Sequence, residues 1–422
     1  MASTPRRTLN RNDLQILREL GKRVKQISQD PVMEERRRLW LKHNSLRGVR
    51  PMILAETGGV LDELIPVSEL KCTEDWARGL ERGLLNSIFI YEHVKDDSVI
   101  EPTVAWNWHL RISDYGVQSK RQTTSNEGKL ASYRWDPPVK DLRTDFATLR
   151  PRTFSVNRES SLEWKATLEE VFGGILDVRR RGAFWWTMGM TWTAIDLVGL
   201  ENLMMFMYDD PEGLHRLMAF LRDDYLALLD YAEKEQILSL NNRNDYVGSG
   251  SLGYTLELPH DGKRVTDPVL IRDLWGLSES QETVGVSPEM FAEFIFPYQL
   301  PVIERFGLSY YGCCEPVHSR WESIRKIPNL RKVSVSPWAD EEFLGKELAG
   351  KYIFCRKPNP AQISSERFDE QEIRADLRRT VRAAGGCTFE IVMKDVHTVA
   401  NQPERLGRWV EMAREISTSQ SE

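Results

Sequence analysis

From residue 306 to 416 the chain repeats one unit four times, and that repeat limits what it can fold into. Residues 307–314 (GLSYYGCC), 330–336 (LRKVSVS), 351–357 (KYIFCRK) and 387–394 (CTFEIVMK) are short apolar, β-prone runs. Each is followed by an amphipathic stretch: 320–327, 340–348, 369–384 and 403–416. Runs of about six β-prone residues alternating with helices of about ten or more predict βα units on a parallel sheet. The strand ends carry reactive groups: Cys313-Cys314-Glu315, Trp338-Ala339-Asp340, Lys357-Pro358-Asn359 and Lys394-Asp395. In a (β/α)8 barrel such ends converge on one face, where active sites sit. The expected fold is therefore α/β, a (β/α)8 TIM barrel with an N-terminal helical extension (1–95), barrel 96–422 and long inserted loops.

The earlier chain is read in the same way. Helical periodicity runs from 12 to 42 with a break at Pro31, followed by a short strand candidate at 51–55 and a helix at 73–94. The first barrel strand is placed at 98–106. Further strands are expected at 182–188 (GAFWWTM), 237–240 and 273–280, and helices at 162–181, 191–208, 211–234 and 288–306. Two polar excursions, 113–160 and 241–267, are long enough to reach over a site as a lid or insertion.

Composition removes several classes. The 422 residues can bury a large core, and no apolar run approaches the roughly 20 residues that span a bilayer. The polar start, MASTPRRTLNRND, does not read as a secretory signal. A net charge of −6 with no basic stripe argues against nucleic acid as a partner. Five cysteines, two of them adjacent, argue against a disulfide framework and for a reducing cytoplasm. Thirteen tryptophans, several in pairs, could wall a pocket for a flat ligand.

Three stretches resemble the uroporphyrinogen decarboxylase-like superfamily: GLENLMMFMYDDPEGLHRLMAFLRDDYLALLD (199–230), SPEMFAEFIFPYQLPVIERFG (287–307) and the closing run that ends KDVHTVANQPERLGRWVEMAREI. Together they span about 160–416. Porphyrinogen decarboxylases carry an RQAGR-like segment near the N-terminus, and residues 1–110 contain none. The resemblance is to the corrinoid-dependent methyltransferase branch, and within it to members with a GCCEP segment that act first in O-demethylase systems. It implies transfer of a methyl group from a methoxylated, aromatic small molecule to cobalamin on a separate corrinoid protein, since no DxHxxG run is present here. It also implies zinc held by a His-x-Cys pair and a late Cys. Here Tyr311 or Gly312 stands where the His would be, and Asp395 or His397 stands near the late Cys.

The chemistry then assigns roles. An ether methyl leaves only if its oxygen is protonated or polarised, which needs an acid or a Lewis acid. Glu315, Asp395, Lys394 and Glu279 are the catalytic candidates. Trp186, Trp338, Tyr311, Lys357 and Asn359 are the substrate-binding candidates, and Cys313, Cys314 and His397 the metal ligands. Strand alternation predicts that Cys313 and Cys314 point to opposite faces. A cobalamin-independent decarboxylase or lyase of the same fold is the alternative, with a non-catalytic barrel third. A homodimer is left open.

Overall fold

The computed structural model describes residues 10–123, 133–260 and 267–418. Two helices begin it. Arg11–Ser28 starts where the Asn10 side chain accepts the Asp13 N–H, and Pro31–Asn44 starts where Asp30 accepts the Val32 N–H. Each cap satisfies a backbone donor that has no partner within its helix. Asp13, buried at the first turn, also accepts the N–H groups of Thr73 and Glu74, which fixes the entry to helix Asp75–Phe89.

Eight parallel strands follow: β1 (Met52–Ala55), β2 (Thr103–Trp106), β3 (Asp177–Arg180), β4 (Trp275–Ser278), β5 (Leu308–Tyr311), β6 (Leu330–Val335), β7 (Ile353–Arg356) and β8 (Thr388–Met393). Six form one sheet in the order β1-β8-β7-β6-β5-β4, all parallel. β2 and β3 form a separate parallel pair. The fold is thus α/β around a six-stranded parallel sheet, and the hydrogen-bonded ladders among the described residues do not form a closed eight-stranded ring. Both sheet edges nevertheless receive main-chain bonds from the region of the separate pair: Asp97 N–H donates to Ile53 O of β1, and Met188 N–H to Leu277 O of β4.

Several boundaries move. β1 lies inside the segment expected to be a helical extension, so the sheet begins near residue 52 and a division at 95 cuts through it. The stretch 182–188 carries the Leu277 bond but no regular ladder, and 237–240 likewise has no strand. The helix expected over 162–181 is Arg158–Phe172, because Gly173 and Gly174, the latter at φ +77°, end it before β3. The helix expected over 288–306 is broken at Ile295 into Pro288–Phe294 and Phe296–Ile303, since Pro297 has no N–H to donate. Of the first polar excursion, 124–132 lies outside the described residues, as does 261–266 of the second.

Side chains alternate across the strands as the pleat requires. Leu54, Leu277, Tyr310, Cys355 and Val392 share one cluster with Trp106 and Tyr254. Ile53, Ala55, Ile391 and Met393 pack on the other face against Leu406, Trp409 and Val410 of the last helix, Glu404–Thr418. Residues from β1 and β4, the two edges, therefore share a common interior. The turn of the short hairpin Tyr246–Val247 and Ser251–Leu252 enters that interior. Gly248 takes φ +68° there, and a Cβ on it would stand 2.1 Å from the Tyr310 ring, so only glycine fits.

Candidate functional site

The site is built at the C-terminal ends of the strands. β5 stops at Tyr311 because Gly312 turns to φ +95°. Beyond it the chain bends, and Glu315 folds back beneath the bend. One Glu315 oxygen accepts the Cys313 N–H at 2.8 Å and the other the Ser280 N–H at 2.9 Å, tying the end of β5 to the end of β4. The two thiols are therefore not strand residues and do not alternate. Their sulfurs lie 3.5 Å apart, Cys313 buried and Cys314 exposed. Strand alternation had placed them on opposite faces; the bend after Gly312 removes the alternation.

Lys394, following β8, reaches this pair. Its Nζ donates to Ser249 Oγ at 2.8 Å and lies 4.0 Å from Cys313 Sγ and 3.6 Å from Asp395 Oδ2. Ser249, at the tip of the inserted hairpin, donates to Cys313 Sγ at 3.2 Å. Cys314 Sγ lies 3.7 Å from Asp395 Oδ2. Glu56, just past β1, accepts the Tyr246 hydroxyl at 3.0 Å. Thiol, amine, hydroxyl and carboxyl groups from β1, β5, β8 and the hairpin thus meet at one rim.

The cluster perturbs its own titrations. The Cys313 thiol is brought down to about 7, by the Cys314 hydrogen bond first and then, against burial, by the Lys394 charge and the Ser249 hydroxyl. Cys314 is pushed up by the same hydrogen bond. Burial works against the Lys394 charge, yet Cys313, Asp395 and Glu56 together raise its pKa. Glu56 is raised by burial, outweighing Lys394 and Tyr246, so its neutral form persists above the ordinary carboxylate range. Glu279 is raised further, by burial and then by Glu315 and Glu282. Its Oε2 accepts the Gln281 N–H, while its buried Oε1 has no partner among the described residues.

Two cavities open beside the rim. A wide groove of about 550 Å³ is lined by Trp192, Gln281, Glu282, Val284, Cys314, Pro316 and Trp338. Trp338 is 68% exposed, so this indole is offered to whatever enters. A more enclosed cavity of about 300 Å³ lies between the 182–186 segment and β4, walled by Phe184, Trp185, Trp186, Tyr246 and Trp275. Tyr246 joins this aromatic cavity to Glu56 and so to the thiols.

The predicted residues divide. Cys313, Cys314, Glu315, Lys394 and Asp395 are brought together, and Trp186 and Trp338 line the two cavities. Lys357 is buried below them, donating to the Tyr310 hydroxyl at 2.6 Å and to Cys355 Sγ at 2.7 Å. Tyr311 points to the outer, helix-packed face, where its hydroxyl donates to Gln299 Oε1 at 2.9 Å. Asn359 accepts the Ala361 N–H and shapes a turn. His397 is exposed and lies beside Gly59. Glu56, Ser249 and Tyr246 were not among the sequence candidates, and Trp192 was noted only with Trp185 and Trp186 as an indole that could wall a pocket. Glu56 directly follows an apolar run read as a strand, so the strand-end rule would have found it; Ser249 has no local signal.

The donors do not fit zinc. His397 is not drawn to the thiols, and among the described residues no group of three or more His, Cys, Asp or Glu is placed to hold a metal ion. The Lys394 ammonium stands where such an ion would draw on Cys313 and Asp395.

No family model matches the chain, and no curated protein matches it. Among solved structures it is similar to a methyltransferase from Methanosarcina mazei, at a TM-score of 0.47 and 12% identity, over 89% of this chain and 97% of that one. Likeness of that degree does not extend to chemistry, which rests on the side chains described above. Among the described residues no helix is long and apolar enough to cross a membrane.

Proposed function

We propose that the chain is a methyltransferase that takes a methyl group from a methoxylated aromatic molecule and passes it to cobalt on a separate corrinoid protein. One observation carries this reading: a carboxyl, an ammonium and a thiol pair meet at the ends of parallel strands, between an aromatic cavity and an open indole-lined groove. The sequence resemblance to corrinoid-dependent methyltransferases agrees with it. We read the six-stranded sheet and the β2–β3 pair as one incompletely hydrogen-bonded barrel, because the two edges share an interior and both bond to the intervening segment.

In this reading the donor ring lies in the cavity walled by Trp185, Trp186 and Tyr246. Glu56, whose carboxyl pKa is raised by burial, is the group placed to give a proton to the departing ether oxygen as the methyl leaves. Lys394 stabilises the negative charge that develops there. Trp192 and Trp338 flank the groove through which a corrinoid protein would present its cofactor; when bound, that cofactor supplies the nucleophile that accepts the methyl group. A carboxylated substrate, as the decarboxylase alternative needs, would find no arginine or lysine among the described residues that line the groove.

The test mixes the purified protein with reduced corrinoid protein and a panel of methoxyarenes and follows the methylcobalt absorbance. A methylated corrinoid with at least one ether, and much less with Glu56→Gln, is the expected result. No methylation across a broad panel would sink the reading.

A further inference from the structure

We infer that Cys313 and Cys314 are a redox-modifiable dithiol: a hydroperoxide closes the pair into a vicinal disulfide, and a thiol reductant reopens it. This goes beyond methyl transfer and holds whether or not that activity is found. Four features of the rim carry it. The sulfurs already lie 3.5 Å apart, and closure needs them to approach to about 2.05 Å. Both residues lie outside the ladder, past a glycine in the left-handed region; Glu315 and Ser334 hold the Cys313 N–H and carbonyl, so the adjustment falls on the exposed Cys314. Cys314 is open to solvent while Cys313 is sheltered directly behind it. Ser249 and Lys394 each direct a proton-bearing group at Cys313 Sγ, an environment that favours sulfur as an anion.

The steps balance. Cys313 sulfur attacks one oxygen of hydrogen peroxide, the O–O bond breaks, and sulfenic acid and hydroxide form. The Cys314 sulfur then attacks the sulfenyl sulfur. The S–O bond breaks, and its oxygen leaves as water with its own hydrogen and the Cys314 proton, while the hydroxide of the first step takes up the proton that Cys313 lost on ionising. Two thiols are oxidised by two electrons and one peroxide is reduced to two waters. Adjacent Cα atoms are about 3.8 Å apart across a trans peptide, below the roughly 4.4 Å minimum of ordinary disulfides. Such a bridge is strained, so a monothiol reductant reopens it. The other thiols lack the neighbour that closure needs: among the described residues Cys355 pairs with Lys357 and Cys387 with the Gly345 carbonyl, and no second cysteine hydrogen-bonds to Cys72, Cys355 or Cys387. Closure withdraws Cys313 from Lys394 and Cys314 from the groove, so the pair reports oxidant at the site itself.

The test treats the full-length protein with excess hydrogen peroxide, unfolds it, alkylates the free thiols and maps peptides by mass. The peptide spanning 313–314 should have lost two hydrogens and taken no label, and dithiothreitol before alkylation should restore two labels. Cys314→Ser, a change at an exposed position, should abolish the loss of two hydrogens and leave Cys313 carrying added oxygen instead. The native protein should also retain one equivalent of a trivalent arylarsine oxide, and the variant none. Full labelling of both cysteines after peroxide would overturn the proposal. So would oxidation of Cys313 to the sulfinic acid with Cys314 still labelling, or equal arsine retention by the variant.

Discussion

The interior of the sheet holds two polar clusters made from similar groups, one sealed at its floor and one open at its rim. At the floor, Glu390 Oε2 accepts from His43 Nε2 at 2.9 Å, from Ser251 Oγ at 2.9 Å and from Lys332 Nζ at 3.2 Å. Lys332 also lies 5.4 Å from the Trp40 ring and 5.5 Å from the Trp275 ring. His43, Ser251, Lys332 and Glu390 are all at 0% exposure. Burial raises the Glu390 pKa, but Lys332 and His43 outweigh it and hold the carboxylate ionised. At the rim, Lys394 faces Cys313, Asp395 and Glu56, with Asp395 and Cys314 open to water. An amine, a carboxylate and a hairpin serine, Ser251 at the floor and Ser249 at the rim, occur in both. What separates them is access: the floor's groups are sealed from water, whereas the rim's can meet a ligand. A buried ion pair alone is thus no sign of a site.

That contrast can be broken by substitution. Lys332→Met leaves the Glu390 charge buried beside one fewer partner and should cost about 3–5 kcal/mol in denaturant unfolding. Lys394→Met removes hydrogen bonds to charged or polar groups at a wetter place and should cost about 1.5–3 kcal/mol. Its larger effect should fall on methyl transfer, slowed by about tenfold or more, a barrier rise of ~1.4 kcal/mol or above. If the Lys394 variant lost as much stability as the Lys332 variant, with transfer unchanged, the rim would be a second floor.

The rim can also be titrated. Cys313 ionises near 7 in the folded chain, so its thiolate absorbance in the ultraviolet should rise as pH increases through about 7. The signal is the difference between the native protein and Cys313→Ser. In Lys394→Met, loss of the ammonium should move the midpoint upward. A midpoint at the value of an ordinary free thiol in the native protein would remove the electrostatic basis given for the rim.

How far these clusters could be read from the chain follows from the range of each interaction. The βα alternation over 306–416 was legible because each unit is local: an apolar run, a turn residue, then a helical stripe. Helix starts at Asp210-Pro211 and Ser287-Pro288 were legible for the same reason, a side-chain oxygen meeting nearby N–H groups, whereas Pro31 was read only as a break. The place of β1 in the sheet was not, because four residues carry little periodicity and the partner lies more than 330 positions away. The direction of Tyr311 was hidden because strands buried on both faces read as continuous apolar runs, which do not set the phase. The meeting of the two thiols depended on the backbone conformation of Gly312, and that of Ser249 with Lys394 on a contact across 145 positions. Cys313, Lys394 and Asp395 were named correctly as strand-end residues; what they touch was a tertiary matter.

The finest distinction between floor and rim is a pH slope in stability. Burial depresses the His43 pKa, and the hydrogen bond and charge of Glu390 only partly oppose this. The unfolded chain therefore takes up a proton at this residue as pH falls below about 6.5, while the folded chain does not. Native stability should drop across that window, by at most about 1.4 kcal/mol per pH unit from this group. His43→Gln keeps a donor toward Glu390 but cannot titrate, so its stability curve should be flatter between about pH 6.5 and the point where folded His43 would protonate. Chemical denaturation at a series of pH values measures the slope in both proteins. Identical slopes in the native and His43→Gln proteins would mean that the floor exchanges protons with solvent as freely as the rim, and the distinction between them would fail.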